Sequence, residues 1–357
     1  MRRLILFFCL SGVLVPDSAD SYVTVSQLRE FLQSKATRKL SDDEVADRLA
    51  SVSLSERLSA DTAAQLFTVT QLGPKAAEQF RFLAALSSLR SLPSAENPNI
   101  PAPDNAEQKR LLDTVSNYLN QATHQLPDFI ATRITSSFNN IPQGKEEEKR
   151  YKAARMHWVA ESHQDVSYHN GHEIDSNQNS LHRALTTWGE FGPVLDVLSR
   201  DLSSSHIVWD HWERNSSQKP IAVFQYSISR SASHYKIDYC CYKISENSGS
   251  LYFRENPAYS GYFYVAPETG TISKIVVRAD LEEDGPIEES GIELEYGTVN
   301  IGGRDYVCPL NGTAILNVRV PDPHSTTKKD IEKNLNEVRF VNYHKFRSTV
   351  QILPDAR

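Results

Sequence analysis

The sequence predicts an α+β protein in which a small N-terminal helical bundle precedes a large, curved antiparallel sheet of half-barrel type, covered by helices. Three observations lead to this fold class. Apolar residues near the start recur at helical spacing, four prolines follow within residues 93–104, and 13 of the 15 Tyr and all four Trp lie beyond residue 150. Aromatic residues favour strands, and helices followed by a run of strands are typical of the α+β class.

A targeting segment is predicted before the first helix. Arg2 and Arg3 form a positive start, Leu4–Val15 is uncharged and mostly apolar, and Ala19-Asp20-Ser21 offers small residues for signal peptidase. An apolar run of this length spans about 18 Å as a helix, which is shorter than a hydrocarbon core of roughly 30 Å. We therefore expect residues 1–21 to be a cleaved signal peptide, and an uncleaved anchor is the alternative.

Residues 22–92 are predicted to form a domain that is helical throughout. Thr24 with Gln27 and Ser41 with Glu44 have the spacing of capping boxes, and Pro74 suits a first helical turn. The apolar residues that repeat at helical spacing are Val25, Leu28, Phe31, Leu32, Val45, Leu49, Ala77, Phe80, Leu83 and Ala84. Helices of about three turns need packing partners, so a bundle of three or four helices is expected.

A semi-rigid, non-helical linker is predicted over residues 93–104, because four prolines punctuate it: Pro93, Pro98, Pro101 and Pro103. The second domain is placed at residues 105–357. Asp104 with Glu107 predicts the start of its first helix. The apolar stripe of this helix consists of Leu111, Leu112, Val115, Tyr118 and Leu119.

Turn signals then divide the chain into strands. Asn170-Gly171, Pro267-Glu-Thr-Gly270 and Gly302-Gly303 each predict a hairpin between two apolar or aromatic runs. Further strands are expected over residues 221–229, 313–320 and 338–346, which brings the domain to seven or more strands. Short turns between successive strands make neighbouring strands antiparallel.

Two finer features are predicted within the second domain. Apolar residues change from even to odd positions after Tyr296, which predicts a β-bulge with an inserted residue at Gly297. A helix is expected over residues 190–201, because one face is shared by Phe191, Val194, Leu195 and Leu198. A large open sheet must close or have its concave face covered, and the helices over 105–122 and 190–201 are the expected cover.

Charge and composition exclude several classes of partner. The chain has 38 Lys and Arg against 45 Asp and Glu, a formal net charge of −7. This acidic balance disfavours nucleic acid and anionic membrane surfaces. Beyond residue 21 no run approaches 18 apolar residues, so no integral membrane span is expected after signal cleavage.

Three cysteines remain after signal cleavage: Cys240, Cys241 and Cys308. An oxidising compartment favours a disulfide, and an odd count leaves one thiol over. Adjacent strand residues point to opposite faces, so only one of the vicinal pair meets Cys308. We predict the bond Cys241–Cys308, because Cys241 lies on the apolar face of its strand; Cys240 is the alternative partner. A redox-active vicinal pair is a further alternative.

One local cluster suggests a metal: His169-Asn-Gly-His172-Glu173, with His163 nearby. Zinc peptidases place two His four residues apart on a helix, with Glu between them as the general base. Here the spacing is three, a Gly interrupts it, and the segment is predicted to be a hairpin turn. We therefore expect no metal and no cofactor; His169 and His172 are the candidate ligands if the protein is a metal-dependent hydrolase.

A second cluster contains His206, Trp209, His211 and Trp212. Aromatic residues on a partly covered strand explain it, and stacking on a sugar or another ring is the alternative. The sequence contains no nucleophile elbow, phosphate loop or dinucleotide fingerprint. No catalytic residues are predicted.

A set of short segments spread over most of the chain carries a family resemblance. They are Leu54-x-x-Arg57-Leu58-Ser59, Trp188-Gly-Glu-Phe-Gly-Pro193, Ser233-His-Tyr235, Cys240-Cys241, Tyr296-Gly297, Ile301-Gly-Gly303, Cys308-Pro309 and Tyr343-His344-x-Phe346-Arg347. Together they resemble a family of uncharacterised secreted bacterial proteins. That family has no assigned activity, so the resemblance implies no particular function.

The hairpin at Pro267-x-Thr-Gly270, which leads into Ile272-x-Lys274-Ile275, carries a more distant resemblance. It looks like part of the open half-barrel of periplasmic lipoprotein carriers of the LolA type and of sensor proteins related to MucB and RseB. The resemblance implies a curved sheet that holds a lipid-like ligand. The helical domain departs from the plain carrier pattern.

These observations predict a non-catalytic secreted or periplasmic binding module that holds an apolar or lipid-like ligand between sheet and helices. The alternative is an envelope protein that interacts with another protein or acts as a sensor. A metal-dependent hydrolase is the third hypothesis. The expected partners are thus an apolar ligand or an envelope protein.

Overall fold

The structure is a computed structural model. It describes residues 21–35, 37–125, 128–142, 155–169, 172–175, 194, 197, 200–215, 217–242, 251–321 and 329–345. For some of these, including Cys240, Cys241 and His172–Asp175, only the backbone is described. The predicted signal peptide lies outside the described residues except for Ser21.

The described residues divide into two compact units. The helical unit contains those up to Glu96 together with Asn140–Met156, and the sheet unit contains Asn97–Asn139 and those from His157 onward. The division after Glu96 falls within the segment predicted as a linker, 93–104. The inclusion of Asn140–Met156 in the helical unit has no counterpart in the sequence analysis.

The helical unit contains, among the residues described, β1 (Ser21–Val23), α1 (Val25–Gln33), α2 (Asp42–Ala50), β2 (Val52–Leu54), α3 (Ala60–Thr70) and α4 (Pro74–Leu86). The capping boxes predicted at Thr24 and Ser41 are confirmed, and Pro74 occupies the first turn of α4. The prediction of helix throughout residues 22–92 is wrong at β1 and β2, which pair in parallel. Strands of three residues are too short to show an alternating pattern.

Polar side chains of the helices bind Arg155 and Met156 of the same unit. The Gln79 side chain makes to Met156 the two hydrogen bonds that a neighbouring strand would make. Its Nε2 donates to the Met156 carbonyl at 2.9 Å, and its Oε1 accepts from the Met156 N–H at 3.0 Å. Arg155 forms ion pairs with Asp43 at 3.0 Å and Asp47 at 2.8 Å. The two hydrogen bonds from Gln79 satisfy the backbone N–H and carbonyl of Met156, which is buried.

The sheet unit begins with a long helix, and strands follow. The elements are α5 (Asn105–Gln125), β3 (Phe129–Asn139), β4 (His157–His169), β5 (His172–Asp175), β6 (His206–Arg214), β7 (Pro220–Ile228), β8 (Ile237–Tyr242), β9 (Leu251–Glu255), β10 (Ala258–Val265), β11 (Ile272–Asp280), β12 (Ile287–Ile301), β13 (Arg304–Pro321) and β14 (Lys329–Lys345). Ten of these strands form one antiparallel sheet in the order β5-β4-β3-β14-β13-β12-β11-β10-β7-β6. Within the described residues this sheet is open, with β5 and β6 at its edges, and the predicted α+β class is confirmed.

The predicted hairpins are present in the strand pairing. His169 pairs with His172 across Asn170-Gly171, and β10 pairs with β11 around the Pro267–Gly270 turn. Ile301 pairs with Arg304, and the two residues between them, Gly302 and Gly303, have φ of +61° and +88°. Positive φ at both central residues is the geometry of a type I′ hairpin turn, which glycine adopts without strain.

The predicted β-bulge occurs, but the inserted residue is on the opposite strand. Glu295 pairs with Asn311 and Tyr296 with Pro309, so Leu310 of β13 is the extra residue. The insertion predicted at Gly297 is therefore wrong. Gly297 instead makes room for it, because a Cβ there would lie 2.4 Å from Leu310 Cδ1.

Helix α5 covers one side of the sheet, as predicted, and we call that side the covered face. Leu111, Val115 and Leu119 of α5 are at most 4% exposed and share one apolar cluster with residues of β7, β10, β11 and β12. Val194 and Val197 are helical and pack against the same cluster. The other residues of the predicted face over 190–201, Phe191, Leu195 and Leu198, lie outside the described residues.

Cys308 lies well away, along β13, from the residues of that strand that pack against β8. Ile237 and Tyr239 of β8 pack with Leu316 and Val318, at one end of β13. Cys308 lies eight residues before Leu316 on that strand, which corresponds to roughly 25 Å, whereas the Cα atoms of a disulfide lie within about 7 Å. Cys308 is a free, buried thiol. The predicted bond from Cys241, or from Cys240, is thus absent from the structure.

Candidate ligand site on the covered face

Three tyrosines and a cysteine form a compact group on the covered face. Tyr118 comes from α5, Tyr296 from β12, Cys308 from β13 and Tyr343 from β14; we call them the phenol cluster. Tyr118 and Tyr343 each interact electrostatically with both Cys308 and Tyr296. Four separate elements therefore contribute a polar side chain to this part of the covered face.

The phenol cluster lies where two apolar clusters of the covered face meet. Tyr296 and Tyr118 belong to the cluster beneath α5. Cys308 and Tyr343 belong to a second cluster, built on Phe129 and its neighbours from β3, β4 and β14. Side chains with polar ends therefore lie where the two apolar clusters meet.

An interruption of the sheet creates this arrangement. Pairing between β13 and β14 begins only at Asn311 with Arg339, because the preceding residues of β13 are the bulged Leu310 and Pro309. Proline has no N–H to donate to a neighbouring strand. The Pro309 carbonyl instead accepts a hydrogen bond from the Tyr343 hydroxyl.

A second bulge directs Tyr343 inward. Val341 pairs with Thr132 and His344 with Ile130, so β14 has one extra residue here. Asn342 has φ of +57°, in the left-handed region that asparagine tolerates better than most residues. Bulges re-aim side chains, and this one places Tyr343 on the covered face, where it packs against Phe129 at a ring distance of 5.5 Å.

Burial keeps the phenol cluster neutral. Desolvation raises the pKa of Tyr118 to about 12, and it raises the pKa of Tyr296 and Tyr343 as well. Burial also raises the pKa of the Cys308 thiol to about 12. A thiol with so high a pKa is not a nucleophile at neutral pH. The cluster can therefore donate hydrogen bonds and pack against apolar groups.

Tyr296 distinguishes the phenol cluster from ordinary core. It is 7% exposed, and its hydroxyl has no hydrogen-bond partner within the described part of the chain. Tyr226, on the same face, has one: its hydroxyl donates to the Val276 carbonyl at 2.8 Å, over Gly261. A buried donor without a partner costs about 1–3 kcal/mol, and an acceptor placed beside it recovers that free energy.

The candidate metal ligands are not brought together in the described residues. His169 Nδ1 pairs with Asp128 at 2.7 Å, and His163 Nε2 with Glu161 at 2.9 Å. The backbone of His172 pairs with that of His169, and its side chain lies outside the described part. Among described side chains no group of three or more His, Cys, Asp or Glu could hold a metal ion.

The aromatic cluster on β6 has an internal explanation. Its rings pack on one another, Trp209 against Trp212 at 4.9 Å and against Phe224 at 5.5 Å. Asp210 is a bulged residue, and His211 lies beside it on an edge strand. His211 Nδ1 lies 2.6 Å from Asp210 and its Nε2 lies 3.0 Å from Glu213. Burial alone would lower the pKa of His211, but the two carboxylates outweigh it and raise that pKa to about 9. His206 lies exposed at the start of the strand.

Sequence reasoning did not identify the phenol cluster as a site. It placed Tyr118 in an apolar helix stripe and the other three members in separate short segments: Tyr296-Gly297, Cys308-Pro309 and Tyr343-His344. The signal available was that two of these segments pair a tyrosine or cysteine with a residue suited to an irregular strand, Gly297 in one and Pro309 in the other.

Comparisons with known proteins leave the site to be interpreted on its own geometry. No protein-family model, no curated protein and no solved structure matches this chain. Within the described residues, none of the helices combines the length and the apolar character needed to cross a membrane.

Proposed function

We propose that the protein is a non-catalytic binding module, which holds an apolar ligand with a hydrogen-bond acceptor at the phenol cluster. One observation carries the proposal: Tyr296 presents a buried hydroxyl without a partner in the described residues, between two apolar clusters. A ligand carbonyl or ester oxygen would accept from it. The rest of the ligand would lie against the apolar walls.

The chemistry of the surroundings favours a lipid-like ligand. The walls are aliphatic and aromatic, with Leu294 and Ile301 both fully buried. Pockets for such molecules are mostly apolar with a few placed polar groups. The phenol cluster contains no cationic side chain, so an ionised ligand group would be buried there without a counter-charge, which is costly. An acyl chain that ends in a neutral carbonyl combines both features.

The proposed compartment is the periplasm or the extracellular space. This follows from the positive start and short apolar run within residues 1–21. A buried, neutral Cys308 is compatible with an oxidising compartment, because an inaccessible thiol with a raised pKa reacts slowly.

Direct binding of a fluorescent fatty-acid ester tests the proposal. Methyl cis-parinarate would be titrated into the wild-type chain, Tyr296→Phe and Tyr262→Phe. Tyr262 lies on β10 beside Phe263, so it faces the side of the sheet away from α5. Loss of one hydrogen bond of about 1.4 kcal/mol predicts a tenfold weaker affinity for Tyr296→Phe. Equal affinity in all three proteins, or no binding, would remove the proposal.

A second function, docking of an envelope protein, is favoured by the surface of α3. Phe67 is 51% exposed and Val69 60%, which is unusual for large apolar residues on one short helix. Photo-crosslinking in intact cells from position 67 would test it, with position 75, an exposed lysine, as the control. A specific adduct from position 67 alone supports docking, and identical results from both positions contradict it.

A further inference from the structure

Strands β8 and β9 stand apart from the ten-stranded sheet. Within the described residues they pair with each other in antiparallel fashion and with no other strand, and we call this pair the flap. A two-stranded pair is at best marginally stable on its own in water. The position of the flap in the sheet unit therefore depends on its side chains.

One side of the flap packs on the covered face of the main sheet. Ile237 of β8 and Phe253 of β9, both at most 9% exposed, share an apolar cluster with Leu316 and Val318 of β13. These two residues of β13 point to the same side as Ala314, which belongs to the cluster beneath α5. The flap therefore covers one end of the face that α5 covers elsewhere.

The other side of the flap faces water. Tyr252 of β9 is 70% exposed, and the Arg254 guanidinium donates to the Asp238 carboxylate at 2.8 Å across the two strands. Successive strand residues point to opposite sides, so Tyr252 and Phe253 lie back to back. The flap is thus a single layer with an apolar inner side and a water-exposed outer side.

A buried carboxylate fixes the base of the flap, where β8 begins and β9 ends. Asp201, which is 1% exposed, accepts from the His234 backbone N–H at 3.0 Å and from the Tyr259 hydroxyl at 2.7 Å. His234 lies just before β8, and Tyr259 lies just after β9. Tyr235 packs against Tyr259 at a ring distance of 5.5 Å. Asp201 thus ties together the two chain segments from which the flap extends.

We propose that the flap opens as a unit about this base and that its opening admits the apolar part of the ligand to the covered face. The role in ligand entry rests on the function proposed for the phenol cluster. Opening separates Ile237 and Phe253 from β13 and leaves the hydrogen bonds of Asp201 in place. Few buried apolar contacts have to break, which makes this local opening less costly than unfolding of the sheet. The uncovered surface is continuous with the one beneath α5, because Tyr235 packs against both apolar clusters.

Hydrogen exchange of the full chain without ligand tests the opening. Phe253→Ala removes an inner contact of the flap, and Tyr252→Ala is the matched control on its outer side. We expect the amides of β8 and β9 to exchange at least about tenfold faster in Phe253→Ala than in the wild type. The amides of β12 and β13 should keep their wild-type rates, and Tyr252→Ala should resemble the wild type throughout. Phe253→Leu takes the place of Phe253→Ala if that variant does not fold.

Two results of this exchange experiment would overturn the opening of the flap as a unit. One is wild-type exchange of β8 and β9 in the Phe253 variant, which would show that the inner contacts do not hold the flap. The other is equal acceleration in β12 and β13, which would show that the flap and the main sheet unfold together.

Stopped-flow binding of methyl cis-parinarate tests the role in ligand entry. Association through an open state is proportional to the population of that state, so Phe253→Ala should associate at least about fivefold faster than the wild type. Tyr252→Ala should associate at the wild-type rate. Equal association rates in all three proteins would overturn the entry role. Absence of binding in all three would instead remove the function proposed at the phenol cluster, and the entry role with it.

Discussion

Removal of the Tyr296 hydroxyl is expected to stabilise the ligand-free protein. Tyr→Phe changes in a core usually destabilise, because a hydrogen bond is lost. At Tyr296 the hydroxyl is buried without a partner in the described residues, so the substitution removes a desolvated donor that costs about 1–3 kcal/mol. After a small loss of packing, we expect Tyr296→Phe to gain about 1 kcal/mol in free energy of unfolding.

Tyr226 provides a matched comparison on the same face of the sheet. Its hydroxyl donates to the Val276 carbonyl at 2.8 Å, and both tyrosines belong to the apolar cluster beneath α5. Tyr226→Phe deletes the same atom but breaks a satisfied bond, which costs about 1–2 kcal/mol. The two substitutions are therefore expected to change stability in opposite directions.

The assay is urea unfolding of delipidated protein, followed by tryptophan fluorescence, with thermal unfolding as a second probe. For domains of 150–250 residues, 1 kcal/mol corresponds to about 2–4 °C in Tm. Tyr296→Phe should melt higher than wild type and Tyr226→Phe lower. If Tyr296→Phe is destabilised as much as Tyr226→Phe, the Tyr296 hydroxyl is already satisfied and the reasoning fails.

Three further predictions concern the sheet unit. Gly261→Ala should lower the free energy of unfolding by about 3 kcal/mol in urea, because the new Cβ would lie 1.8 Å from the Val276 carbonyl oxygen. A decrease below about 1 kcal/mol would contradict this close approach. The pKa of His211 is raised from an ordinary 6.5 to about 9. The charged imidazole is therefore expected to stabilise the folded protein by about 1–2 kcal/mol. This stabilisation is complete below pH 6.5 and is lost as pH rises through 9. His211→Gln should lack this pH dependence, and an unchanged profile would contradict it. In a chain that carries Cys240→Ser and Cys241→Ser, Cys308 should react with a thiol reagent such as DTNB only as fast as the protein unfolds. Rapid labelling of this native variant would show that Cys308 is accessible.

Local signals in the sequence predicted much of the fold. The capping boxes at Thr24 and Ser41 and the hairpin at Gly302-Gly303 depend on residues within a few positions of one another. The prediction that α5 covers one face of the sheet followed from the apolar stripe of that helix. These features need no knowledge of distant contacts, which explains why one sequence was enough for them.

Features that depend on distant pairing could not be predicted in this way. The even-to-odd change after Tyr296 showed that a residue was inserted but could not show that it was Leu310 on the opposite strand. The expected Cys241–Cys308 bond relied on a shared face, whereas the distance along β13 depends on which strands are neighbours. The phenol cluster depends on four elements and two bulges, and its unsatisfied hydroxyl is a property of the folded structure alone.

Native mass spectrometry tests the central claim most directly. The chain would be exported to an oxidising compartment, purified without detergent, and measured as wild type, Tyr296→Phe and Tyr262→Phe. A binding module of the proposed kind predicts a lipid-like mass on the wild type and on Tyr262→Phe, with markedly lower occupancy on Tyr296→Phe. A bare polypeptide in all three, or equal occupancy in all three, would contradict ligand binding at the phenol cluster.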